Sequence, residues 1–146
     1  MLVLGDVNEL QGYVDGSHDV YVVKSPEKFE WPSMMVFDNT RCTTLTPEWI
    51  DDESNHPSNM QWAESIGDLP PEWNHCVGYD EPMAGAKLVH YTMGIPHFEE
   101  TKGCEYSDEW WMEYNSMTQG CSWLALMAKS VHAKKILPKY FDVAAS

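Results

Sequence analysis

Four short runs with strand chemistry set the terms for this chain: "MLVLG" at the start, "DVYVVK" (residues 19–24), "SMMVFDN" (33–39) and "AKLVHY" (86–91). β-Branched, aromatic and aliphatic residues bounded by Gly, Pro, Asn and Asp predict strands. "SMMVFDN" is apolar for four residues before turning polar, which suits a strand covered on both faces. Between the runs lie breaks and helix signals. "DVNEL" predicts a turn into a short helix, and the two prolines of "SPEKFEWP" interrupt the chain after the second strand. In "TLTPEWIDDE", Thr46 can cap, Pro47 suits the first turn and acids follow, so a helix is predicted. Residues 54–59 predict a loop, "MQWAESIG" a short helix ending at Gly67, and "DLPPEWNHCVGYDEPMAG" a mostly irregular stretch. "YSDEWWMEYNSM" predicts a helix capped by Ser107 with acids in its first turn, and "SWLALMAKSVHAKKIL" another. Strands separated by helices and loops place the chain in the α/β class. Its 146 residues suffice for one domain with a core.

Charge narrows the function. Nine Lys and Arg stand against 23 Asp and Glu, a net charge of −14. Tracking of nucleic-acid phosphates needs basic residues in excess, so nucleic-acid binding is argued against. An anionic substrate would be repelled unless a cation screened the site, and Arg41 is the sole arginine. A bound metal is the simpler remedy. No apolar run reaches the 18 residues of a membrane span, and the start has neither a basic region nor a long apolar stretch, so no signal peptide is expected there. The cysteines at 42, 76, 104 and 121 form no CxxC pair, which fits a reducing, cytoplasmic setting. A chain seldom opens inside a strand without a lead-in, so Met1 is expected to be internal to a longer domain.

His90 is the first candidate site residue, because it closes a hydrophobic strand just before a turn through Gly94 and Pro96. The exit of a parallel strand is where open α/β sheets bind ligands, and neutral imidazole is a common metal ligand. The alternative is a hydrogen-bonded core histidine. Gly94 permits close approach to a ligand, or simply a tight turn. Cys76, His90, His97 and Cys104 could together satisfy tetrahedral zinc, though their spacing supplies neither short paired half of a zinc knuckle. The seven tryptophans offer platforms for sugar faces or ordinary core filling. Trp110 and Trp111 point about 100° apart on a helix, so one should pack inward and the other lie nearer the surface. The acids "DDE" at 51–53 and "EE" at 99–100 could ligate a metal but read more simply as solvated faces. No G-x-S-x-G, G-x-x-x-x-G-K or G-x-G-x-x-G occurs.

Taken in order, "MLVLGDVNEL", "PSMMVFDN", "LPPEWN" and "KLVHYTMGIPHF" resemble the later half of a glycogenin-like, GT-A-type glycosyltransferase, most closely bacterial and phage-encoded ones. The resemblance covers nearly the whole chain, and "LPPEWN" followed by "KLVHYT" is its most specific part. It implies a partial GT-A mixed sheet with flanking helices, without the N-terminal nucleotide-binding half, and residues 1–146 as a single C-terminal part of that domain. It further implies a nucleotide-sugar donor, an unknown acceptor and a divalent cation, usually Mn2+. In the family that cation is held by an Asp-x-Asp pair just ahead of a segment like "MLVLGDVNEL" and by a histidine matching His90. The cation acts as a Lewis acid on the departing nucleoside diphosphate. Gly94 and His97 are then expected near the substrate. The family's Lys-Pro-Trp appears here as Pro96-His97-Phe98, so His97 would replace the lysine as donor. Gln61 falls near where some relatives place a polar residue beside the transferred sugar, and Asn74 is expected to hold a loop. Lacking the Asp-x-Asp pair, the chain by itself is expected to be inactive, and its exposed sheet edges to favour self-association. The alternatives are a noncatalytic phage or bacterial accessory module with a packed His90, and a small zinc protein.

Overall fold

The computed structural model describes residues 1–24, 33–131 and 133–136. The break predicted at "SPEKFEWP", Trp31 within it, and the end of the last predicted helix lie outside them. The protein is mixed α/β, with two small mixed sheets and several helices among the described residues. The chain divides into two compact units, Met1–His90 and Tyr91–Ser146. No helix among the described residues is long and apolar enough to cross a membrane.

The first unit carries all six strands found among the described residues. One sheet has the order β1 (Leu2–Val3), β6 (Leu88–His90), β5 (His75–Cys76), with β1 antiparallel and β5 parallel to β6. The other has the order β3 (Met35–Phe37), β2 (Val20–Val22), β4 (Ile66–Asp68), with β3 antiparallel and β4 parallel to β2. The pleat explains why β2 is apolar without a break. Alternate side chains of a strand point to opposite faces: Tyr21 and Val23 join Leu69, Trp73 and Leu88 in one cluster, while Val20 and Val22 join Trp62 in another. The strand covered on both faces is therefore β2. β3, expected to be so covered, is an edge: Val36 packs toward one cluster and Met35 toward the other, both half-buried, and Phe37 is exposed.

Asp19, at the head of β2, ties this sheet to its loops. Its buried carboxylate accepts from the Glu64 N–H at 2.7 Å and the Ser65 N–H at 3.2 Å, and from Arg41 Nε at 3.0 Å. The only arginine is thus matched by an internal acid. Thr46 caps α1 (Pro47–Asp51) as expected, accepting from the Trp49 N–H at 3.2 Å.

Residues 60–67 differ from the predicted helix. Met60 adopts a left-handed conformation, which halts the preceding 3-10 turn, and Ile66, Gly67 and Asp68 pair with β2 as β4. Backbone pairing to a buried strand overrides the weak local helix signal. The stretch expected to be irregular contains a 3-10 turn at Pro71–Trp73 followed by β5.

The second unit is helical. α2 (Ser107–Gly120) forms where predicted, but Ser107 is its first helical residue rather than its cap. The cap position is Tyr106, left-handed at φ 58° and without a side-chain cap. Tyr91, buried, donates its hydroxyl to the Tyr106 carbonyl at 2.9 Å and pins that turn. The predicted last helix is broken into α3 (Trp123–Met127), capped by Ser122, and α4 (Ala133–Ile136). Between them Val131 is 94% exposed, so its side chain adds no packing that would hold one continuous helix.

Candidate functional site

His90 occupies the last position of β6. Its carbonyl accepts from the Val77 N–H at 3.0 Å, and it pairs in register with Cys76 of the parallel strand β5. On the other side, Leu2 stands opposite Val89 and Val3 opposite Leu88 in the antiparallel pairing. Because that register runs backwards, Met1 is next in line opposite His90. The leading end of β1 and the trailing end of β6 therefore meet at one place on the sheet.

The electrostatics of the imidazole follow from that placement. Burial, and then the positive charge of the amino terminus, hold the His90 pKa below its ordinary value. Burial also lowers the amino group of Met1. Both effects favour neutral nitrogen, the form that binds metal. His90 Nδ1 is buried with no hydrogen-bond partner among the described residues. A core histidine is expected to satisfy its buried nitrogens, and leaving one unmet costs about 1–3 kcal/mol. His18 Nδ1 is in the same condition, so it is the place of His90 at the strand end that singles it out.

Each of the other candidates has its own local setting. Gln61 is exposed on the turn between Met60 and Trp62, on the chain leading into the sheet that does not contain His90. Gly94 and His97 belong to the second unit. Gly94 has φ +128°, and a Cβ there would lie 2.9 Å from the Phe98 ring and 3.4 Å from Thr101 Oγ1. The space beside it is taken by its own turn, whose Thr101 hydroxyl donates to the Ile95 carbonyl at 2.7 Å. His97 is half-buried among rings: Trp123 stacks on it at 5.4 Å and 23°, and Trp111 lies at 5.7 Å and 31°. Trp110 and Trp111 do not divide into an inner and an outer ring. Both are half-buried, both reach His97, and both reach Tyr114. Side chains three and four positions apart share a helix face, so Tyr114 draws the two tryptophans together.

Among the described residues, no group of three or more His, Cys, Asp or Glu side chains is placed to hold a metal ion. His90 alone does not make a Mn2+ site. Cys76 is buried with its thiol 3.7 Å from the Asn74 carbonyl, and no disulfide joins the cysteines among the described residues. Asn74, expected only to hold a loop, is 6% exposed, and its side-chain oxygen is buried without a partner among the described residues. Its place at the end of "LPPEWN", two residues before the register partner of His90, was the available signal.

Fold and site together define a mixed α/β protein with a neutral histidine at a strand end. No family model matches the chain, and no solved structure matches it. Among curated proteins it is similar to Protein CDI of Arabidopsis thaliana, 29% identical, with 75% of this chain and 52% of that protein covered. The chain thus spans about half the length of that relative.

Proposed function

We propose that this chain is the later part of a GT-A-type glycosyltransferase domain, with His90 as one ligand of a divalent-cation site serving a nucleotide-sugar donor. One observation carries the reading: a neutral imidazole, its Nδ1 without a partner among the described residues, stands opposite the leading end of β1. In the resembling family the Asp-x-Asp pair comes immediately before that strand. The β1–β6 register would bring residues in that position alongside His90. Sequence features far apart in the chain thus converge at one sheet end, as a metal site requires.

What the described residues contribute is a positioned, uncharged nitrogen. Bound there, Mn2+ would offset the charge of a diphosphate in a chain whose net charge is −14 and whose lone arginine is paired with Asp19. The carboxylates of such a site would come from outside this chain's described residues, so the chain by itself is expected to be inactive. Its acceptor is a separate, unidentified molecule. The edge positions of β1 and β3 in their sheets, with Val3, Leu4 and Phe37 exposed, favour self-association or pairing with further chain.

The test is Mn2+ binding by titration calorimetry and electron paramagnetic resonance. It is made on this chain and on a form extended through the coding sequence upstream, each with and without His90→Ala. The expected result is weak binding here, tight binding and UDP-sugar hydrolysis in the extended form, and loss of both on His90→Ala with melting unchanged. Unchanged Mn2+ binding with lowered melting would instead identify His90 as packing and the protein as a noncatalytic module.

A further inference from the structure

The acids of this chain are spread unevenly. Between Glu113 and Asp142 the sequence holds no Asp or Glu, although the whole chain has 23 of them. The same span carries Lys129, Lys134, Lys135 and Lys139, four of the nine basic residues. Its described part runs from the later half of α2 through α3 to α4, and neither α2 nor α3 buries a residue. Leu126 is exposed on α3, and Val131 almost wholly exposed on the turn that follows.

That turn is bonded into the fold. The Ala128 N–H donates to the Leu124 carbonyl at 2.9 Å, the Ser130 N–H to the Met127 carbonyl at 3.0 Å, and the Ala133 N–H to the Ser130 carbonyl at 3.0 Å. Ala133 is buried, so the turn is anchored at both ends while Val131 stays in water. Lys129 lies three positions after Leu126, and such neighbours share a helix face. Lys129 and Lys134 are both exposed. Lys135 is engaged within its own unit, with Glu100 at 3.2 Å and over the Phe98 ring at 4.2 Å. The turn thus presents two apolar side chains and two ammonium groups, with no carboxylate from its own span.

Charge selects the occupant. In a chain of net charge −14, an acid-free span with exposed lysines is the part suited to approach an anionic surface. At physiological ionic strength the Debye length is about 8 Å, so lysines in contact act on that surface while acids farther off are largely screened. The apolar tips separate lipid from nucleic acid. A phosphate backbone offers Leu126 and Val131 nothing, whereas the headgroup boundary of a bilayer takes both and leaves the lysine charges among the headgroups. We propose that the turn between α3 and α4 docks the second unit on an anionic lipid bilayer, with Leu126 and Val131 entering the headgroup boundary and Lys129 and Lys134 pairing with acidic headgroups. The contact lies on the surface, since no helix among the described residues is long and apolar enough to cross a membrane.

The test is co-sedimentation of the whole chain with vesicles of phosphatidylcholine alone and of phosphatidylcholine mixed equally with phosphatidylserine, with duplex DNA as an anionic competitor. The chain should sediment with the mixed vesicles and not with phosphatidylcholine alone, and less of it as salt is raised. Lys129→Ala and Lys134→Ala should each weaken binding about fivefold, and Val131→Asp at least as much. Val131→Trp should strengthen binding and add an emission that shifts to the blue when mixed vesicles are present. All three positions are exposed, so melting should stay at the parent value and a lost contact is separable from a lost fold. Failure to sediment with the mixed vesicles, equal binding to both vesicle types, or binding indifferent to Val131→Asp would overturn the proposal. Release from the vesicles by DNA at matched phosphate concentration would overturn it too, and assign the span to nucleic acid. None of these variants touches His90, so the cation-site reading stands or falls separately.

Discussion

Replacing Gly67 by alanine adds one methyl group where the first unit has no room. A Cβ there would stand 2.5 Å from Cδ1 and 2.7 Å from Cε1 of Tyr21, and 2.8 Å from Cδ2 of His18. Carbon atoms settle at about 3.5–4.0 Å, so the Tyr21 ring must retreat by roughly 1 Å. It is poorly placed to do so. Tyr21 is 2% exposed, its hydroxyl donates to Asp15 Oδ1 at 2.6 Å, and the same hydroxyl accepts from the His18 N–H at 3.3 Å. Overpacking of this kind costs about 1–3 kcal/mol. The narrower unfolded ensemble of alanine returns about 0.4–1 kcal/mol, which leaves a net loss of roughly 1.5 kcal/mol. For a unit of this size that corresponds to a fall in Tm of about 5–10 °C, read by near-UV circular dichroism and urea unfolding. Gly12→Ala is the matched control, because its Cβ would meet nothing within 4 Å; it should be neutral or slightly stabilising. In a Tyr21→Leu background, with no ring over the strand, the penalty of Gly67→Ala should shrink. Equal effects at positions 12 and 67, or a Gly67→Ala protein as stable as the parent, would refute the packing reasoning.

Further outcomes follow from the same contacts. The His90 imidazole should titrate below its ordinary value of 6.5 when followed by NMR. Acetylating the amino terminus should raise it only in part, because burial is the larger cause. A histidine depressed in the folded state binds fewer protons there than when unfolded, so stability rises with pH through this window. It should be full above about 6.5 and fall as pH drops toward the folded pKa, and His90→Asn should flatten that slope in pH-dependent urea melts. Tyr91→Phe removes the bond to the Tyr106 carbonyl and should cost about 0.5–1.5 kcal/mol, read as lowered α2 protection in hydrogen exchange. His97→Ala removes the ring between Trp111 and Trp123 and should change the near-UV dichroism strongly.

The strands were the legible part of this sequence, and the reason is local. β1, β2, β3 and β6 fall inside the four runs picked out by β-branched and apolar residues, because such side chains report directly on a pleated, covered surface. What stayed hidden depends on partners distant in the chain. Nothing near Gly67 says that Tyr21 lies against it, so its absent side chain reads as a helix stop when it is a packing requirement. Ser107 carries the right chemistry for a cap, but the Tyr91 hydroxyl fixes the turn one residue earlier. His90 was legible as a candidate because a histidine ending an apolar strand is chemically out of place. The opposing end of β1 was not, since register is set by pairing rather than by either strand alone.

The two readings of His90 differ in where the cost of its buried nitrogen is repaid. A packing histidine would have to recover it within the fold, through a donor or acceptor that the described residues do not supply at Nδ1. A ligand histidine recovers it on binding, and until then the group destabilises the chain that carries it. Removing the ring therefore has opposite consequences. If it packs, His90→Ala leaves a void and lowers stability. If it awaits a metal, His90→Leu, which restores volume without a polar nitrogen, should raise the stability of the metal-free chain by part of the roughly 1–3 kcal/mol an unmet group costs. It should also abolish Mn2+ binding in the extended form. Stability lost on His90→Leu would place the imidazole among the groups the fold itself needs, and the sugar-transfer reading would lose its support.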